Sequence, residues 1–153
     1  MTKDELEKTI KKLQKKIEQN EEKTYSKIVI REYRNPTNFG IIEYPDADGT
    51  IKGPCGDTMK ITIKIVNGKI KDARFWTDGC GATIACGNML IKMIKGKTPR
   101  EALEISQEDL ISSLEGLPKK HSHCAKLAMI SLSKALEKDN LNKKNVSDDI
   151  RVI

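Results

Sequence analysis

Aromatic residues are scarce in this chain: Phe, Trp and Tyr together make up 4% of its 153 residues. A core must therefore rest on Ile, Leu, Val, Ala and Met, and the stacking platforms that grip single-stranded nucleic acid are disfavoured. No apolar run approaches the ~18 residues of a membrane span. The opening stretch, MTKDELEKTIKKLQKK, has no apolar segment of the kind that marks a secretory signal. Charge of a single sign is missing too. Lys and Arg total 28 against 22 Asp and Glu, a net +6, but the signs are interleaved even in the Lys-rich N-terminal stretch. That is not the one-signed patch of a nucleic-acid binder. There is no Cys-x-x-Cys pair, which disfavours a zinc ribbon or finger. The expectation is a soluble cytoplasmic protein whose partners are neither membrane nor nucleic acid. Its length suits about one domain, which buries roughly 68–70% of its unfolded surface and needs no disulfide staples.

What is present begins with a helical arm over residues 1–24. Thr2 and Glu5 form a capping-box pair, and Leu6, Ile10, Leu13 and Ile17 recur at helical steps. So narrow a stripe suits pairing with a second copy, docking on a groove, or a solvated helix lying loosely on its own domain. The main domain is expected over 25–139, followed by a polar, frayed tail at 140–153. A second helix spans Tyr25–Arg34 and stops at Asn35-Pro36. Phe39–Tyr44 is a short apolar run, and Pro45–Gly49 reads as a turn cluster.

Ile61, Ile63 and Ile65 alternate with polar residues, the period-two pattern of a strand with one wet face. Asn67-Gly68 supplies a type I′ hairpin turn. The return strand runs from Lys69 to about Trp76, and its alternation slips near Lys71-Asp72, which predicts a bulge. From Ala82 the period becomes helical, through Ile94. Further helices are expected from Pro99 to Ile105, from a Ser106 cap to Leu114, and from His121 to about Asp139. Strands followed by helices predict an α+β fold, with helices covering one face of a small antiparallel sheet.

Cys55, Cys80, Cys86 and Cys124 carry the chemistry. In a cytoplasmic chain these are core thiols, reactive thiols or metal ligands rather than disulfides. Cys86 lies inside an apolar helix and reads as structural. Cys55 sits in a turn before the outgoing strand, Cys80 between the return strand and a helix, and Cys124 at the start of the last helix. Turns and helix starts expose a thiol, and a helix start lowers its pKa. The hairpin brings Cys55 and Cys80 to the same end of the sheet. Three distant thiolates with a nearby carboxylate or imidazole make an open, mixed-ligand site for zinc, copper(I) or iron–sulfur units. Asp57 can supply the carboxylate, or cap the turn through an Asx bond. His123, beside Cys124, can ligate or shuttle a proton. His121 shares the face of Cys124 on a helix, or stands exposed beside Lys119 and Lys120. The glycine-rich stretch Gly79–Gly87 matches neither dinucleotide- nor phosphate-loop patterns.

The segments Tyr33-Arg-Asn-Pro-Thr-Asn-Phe-Gly40, Gly53-Pro-Cys-Gly-Asp57, Asp72-Ala-Arg-Phe75, Gly79-Cys-Gly-Ala-Thr-Ile-Ala85, Met93-Ile-Lys-Gly-Lys-Thr98 and His123-Cys-Ala-Lys-Leu-Ala128 occur in order. Together they resemble the IscU/NifU-type iron–sulfur cluster assembly scaffolds over about Tyr25–Leu136. The resemblance implies a three-stranded antiparallel sheet with helices, to which the arm is an addition. It implies a labile 2Fe-2S cluster held by Cys55, Cys80 and Cys124, with Asp57 and His123 as further ligands, and zinc at the same residues in the cluster-free form. It implies a scaffold rather than an enzyme, with a cysteine desulfurase, an iron donor and recipient apo iron–sulfur proteins as partners. A zinc-binding sulfur acceptor for a desulfurase is the alternative, disfavoured because no long insertion separates Cys80 from Cys124. The family often has Lys where His121 stands, and its bacterial type commonly has Ser where Cys86 stands.

Overall fold

The computed structural model describes residues 2–152, and the side chains of residues 2–137. Helix α1 (Lys3–Thr24) starts at the expected capping box, with Glu5 N 3.3 Å from Thr2 Oγ1. No residue of α1 is buried, and Leu6, Ile10, Leu13 and Ile17 are 44–56% exposed. Its C-terminal end is fastened to helix α2 (Lys27–Arg34), where Arg34 pairs with Glu21.

Three antiparallel strands follow: β1 (Ala47–Lys52), β2 (Thr58–Val66) and β3 (Lys69–Thr77), in spatial order β1-β2-β3. Asn67 and Gly68 both take positive φ, as the type I′ turn requires. Lys64 faces Asp72 but Ile65 faces Ile70, so Lys71 is the extra residue of the expected bulge. Strand β1 corrects the turn reading of Pro45–Gly49, since Ala47, Asp48 and Gly49 all pair with β2. Asp and Gly are poor strand formers, but Gly49 has a packing reason. A β-carbon there would lie 2.5 Å from the backbone nitrogen of Ala135, so only glycine lets the last helix press against this edge strand. The opposite edge of the sheet is tied down by residues 38–40. The Gly40 amide donates to the Phe75 carbonyl at 2.8 Å, and the Phe75 amide donates to that of Asn38 at 3.1 Å.

Helix α3 (Gly81–Ile94) and helix α6 (Ser122–Val152) cover one face of the sheet, with the short helices α4 (Pro99–Leu103) and α5 (Gln107–Ser113) between them. Met59, Ile61 and Ile63 of β2, Phe75 of β3, Leu90 of α3 and Leu132 of α6 are buried together in one core. Thr98 and Ser106 open α4 and α5 with capping boxes. A single 3₁₀ turn, Lys119–His121, leads into α6. That helix passes the expected end near Asp139, because no Gly or Pro interrupts the chain after Pro118. Buried Glu32 of α2 accepts bonds from Asn88 and Lys92 of α3, and Asn88 receives the Asn38 amide, which locks the segment after α2 onto α3.

Candidate metal centre

The β1–β2 loop and the β3–α3 loop meet at one end of the sheet. The Thr58 amide donates to the Asp78 carboxylate at 2.7 Å, and the Gly53 amide closes the Cys55 turn onto the Asp57 carbonyl at 2.7 Å. Cys55 is exposed at the tip of this turn. Asp57 points back toward α3, and Gly79 makes room for it: a β-carbon at Gly79 would stand 2.9 Å from Asp57 Oδ2. The carboxylate thus reaches across the site to accept from the Thr83 hydroxyl, at 3.4 Å.

Thr83 is the junction of the site. It lies one turn into α3 and is fully buried. Its Oγ1 is 3.3 Å from Cys124 Sγ and 3.7 Å from Cys80 Sγ, as well as within reach of Asp57. A hydroxyl has one proton to donate, so these neighbours share it.

Cys80 is the N-cap of α3 and is exposed. Partial burial opposes its ionisation, but the amides of Thr83 and Ala82 and the Thr83 hydroxyl outweigh this and hold the thiol below its ordinary value. Cys124, in the first turn of α6, is buried, and burial pushes its thiol up to about 11, with the charges of Cys80 and Asp57 adding to the effect. The two thiols of one site thus shift in opposite directions, Cys80 down and Cys124 up. Cys86 is buried within α3, and burial raises its thiol far above the ordinary value.

His123 is exposed, with Nε2 3.6 Å from Cys124 Sγ. His121 departs from the exposed reading. It is half-buried, its Nε2 is 3.0 Å from the Tyr25 hydroxyl, and its Nδ1 is buried with no hydrogen-bond partner. Burial, then Lys120 and His123, hold its pKa below the usual imidazole value. One donor atom each from Cys80, His121 and Cys124 lie within 4.8 Å of one another. Of the expected ligands, this trio contains Cys80 and Cys124. Asp57 reaches it through Thr83, and His123 stands beside Cys124, while Cys55 lies outside the trio at the tip of its own exposed turn.

Sequence reasoning missed Thr83 and Tyr25. The i, i+3 step from Cys80 at a helix start could have found Thr83. Nothing local marks Tyr25, whose partner is 96 positions away.

An imidazole, two unequal thiols and a carboxylate on a shared hydroxyl, all at one sheet end, make a donor set that could hold a thiophilic metal. The chain belongs to the NifU-like N terminal domain family, whose model matches residues 24–146. It is 44% identical over 113 residues to the iron–sulfur cluster assembly scaffold protein IscU 1 of Archaeoglobus fulgidus, covering 73% of this chain and 74% of that one. It is 40% identical over 117 residues to the scaffold protein IscU of Escherichia coli K12, covering 73% of this chain and 91% of the relative. A solved structure from Fervidobacterium islandicum, a putative iron–sulfur cluster assembly scaffold for the SUF system, shares the fold with a TM-score of 0.63. There the identity is 24%, over 73% of this chain and 96% of that one. The family expected from the ordered motifs is the family found.

Proposed function

We propose that this chain is a scaffold on which a labile 2Fe-2S cluster is assembled from iron and desulfurase-derived sulfur, then passed to apo iron–sulfur proteins. The observation that carries the reading is the junction at Thr83, which gathers Cys80, Cys124 and Asp57 at 3.3–3.7 Å beside the exposed turn of Cys55. Cys80 is disposed to be a thiolate, the form that attacks sulfane sulfur and binds metal. Cys55, Cys80 and Cys124 hold the iron, and Asp57 or His123 completes the site. A hard oxygen ligand beside soft thiolates keeps one corner exchangeable, which suits a cargo that must leave. In the cluster-free form the same thiolates suit zinc. The partners are a cysteine desulfurase, an iron donor and the recipient apo-proteins. Four free cysteines suit the reducing cytoplasm, and among the described residues no helix is long and apolar enough to cross a membrane.

Anaerobic reconstitution with a cysteine desulfurase, cysteine, ferrous iron and a thiol reductant tests the proposal. Iron and acid-labile sulfide retained in equal amounts, with visible absorption that moves to an added apo-ferredoxin, is the expected result. Retention of zinc alone, with no labile sulfide, would overturn it.

A further inference from the structure

We infer that His121 is a metal ligand of this chain, joining Cys80 and Cys124 through Nδ1 to hold a single divalent thiophilic cation, zinc or ferrous iron, before any cluster is built. The inference rests on the scaffold reading only in expecting thiophilic metal at this end of the sheet. Three observations carry it.

The first is spacing. One nitrogen of the His121 ring and the sulfurs of Cys80 and Cys124 lie within 4.8 Å of one another, and the ligands of a tetrahedral zinc stand roughly 3.5–3.8 Å apart given its bond lengths. Side-chain rotations of about 1 Å close that gap. The second is the orphaned nitrogen. A buried polar atom without a partner costs free energy, and His121 Nδ1 is such an atom among the described side chains. A cation between Nδ1 and the two thiolates would satisfy it. The third is the opposite side of the ring. The Tyr25 oxygen stands 3.0 Å from Nε2. A ligating histidine is usually oriented by a bond to its other nitrogen. With metal on Nδ1, Nε2 carries the proton and donates it to Tyr25. The ring of His121 also lies 5.6 Å from that of Tyr25, which fixes its plane.

Two thiolates and one imidazole are three protein donors, and they leave a fourth tetrahedral position for an incoming group. Cys80 and Cys124 ligate as thiolates, so any proton a thiol carries is released on binding.

The test uses the full chain and zinc. Zinc is titrated against a chromophoric chelator with wild type, His121→Ala and Tyr25→Phe. Removing the ligand should weaken zinc by ~100-fold or more, and removing its orienting partner by about tenfold, within the range that such outer partners command. Nitrogen-15 histidine spectra of the unmutated chain give a second reading that needs no variant. Zinc should move Nδ1 of His121 and leave its Nε2 protonated. Wild-type affinity in His121→Ala, or zinc-induced shifts confined to His123, would overturn the inference. Cluster reconstitution on wild type is read separately. A cluster that forms while zinc ignores His121 removes this inference alone, whereas zinc held through His121 with no cluster removes the scaffold reading alone.

Discussion

Replacing Thr83 by Val keeps the shape of a fully buried side chain and deletes the oxygen that three groups share. Two consequences follow, and they are separable. Hydrogen bonds involving charged partners contribute about 1.5–3 kcal/mol, but those at Thr83 are long, at 3.3–3.7 Å, and share one proton. The added methyl returns part of the loss as buried apolar area. A net destabilisation of about 1 kcal/mol is expected, or roughly 2–4 °C for a chain of this size. The second consequence falls on Cys80, whose thiol is held low in part by this hydroxyl. Thr83→Val should move the pH profile of Cys80 alkylation by iodoacetamide to higher pH. The backbone amides of Thr83 and Ala82 remain, so the shift is partial. Thr83→Ser restores the oxygen without the methyl. It should recover the alkylation profile while remaining destabilised by about 1 kcal/mol for the lost buried group. Alkylation is followed by mass spectrometry of the Cys80 peptide, and stability by urea melts of the metal-free protein. Superimposable profiles for wild type and Thr83→Val would refute the role given to the hydroxyl. A profile shifted equally in Val and Ser variants would point to packing instead.

Asp57→Ala should slow cluster release to apo-ferredoxin, because it removes the exchangeable oxygen corner; transfer at the wild-type rate would reject that role. Lys92→Met leaves the Glu32 carboxylate, 1% exposed, without its closest cation, and should cost about 2 kcal/mol in urea melts, less than a fully buried pair because Lys92 reaches solvent. The metal-free protein should lose stability as pH rises from about 8.5 to 11. The folded-state pKa of Cys124, about 11, lies above its unfolded value, so unfolding releases a proton in that window. Cys124→Ala should flatten this loss, and an unchanged alkaline limb would contradict the assignment. Deleting residues 1–22 should alter stability or self-association and leave reconstituted iron and sulfide per chain unchanged. A truncated chain that folds by circular dichroism but assembles nothing would tie the arm to the chemistry.

The hairpin was legible because its signals are local: alternating isoleucines, an Asn-Gly turn, and a slip in alternation that became the bulge at Lys71. Strand β1 was hidden, since Asp48 and Gly49 carry turn chemistry and the reason for glycine lies in α6, some 86 residues further on. The site divides in the same way. Cys55, Cys80 and Cys124 were marked by turn and helix-start positions, and the strand register accounts for the meeting of the first two loops. His121 was ambiguous because burial is a tertiary property. The 3₁₀ turn that carries it under Tyr25 leaves no periodic trace in Lys119-Lys120-His121. The length of α6 was misjudged for the opposite reason: a polar composition suggested fraying, while the absence of any breaker permitted continuation.

Tyr25, Asp57, Cys80 and His121 with Cys124 sit on four separate stretches of chain that share no local structure. Unfolded, their donors are dispersed along a hundred residues, and a metal finds no such assembly to grip. Cargo bound only by the folded form acts as a clasp, adding RT ln(1 + [L]/Kd) to stability, about 2.7 kcal/mol when free metal stands a hundredfold above its dissociation constant. Each delivery therefore unfastens the clasp. By the same linkage the emptied form should melt below the loaded one, so the melting temperature would report how much of the protein carries metal.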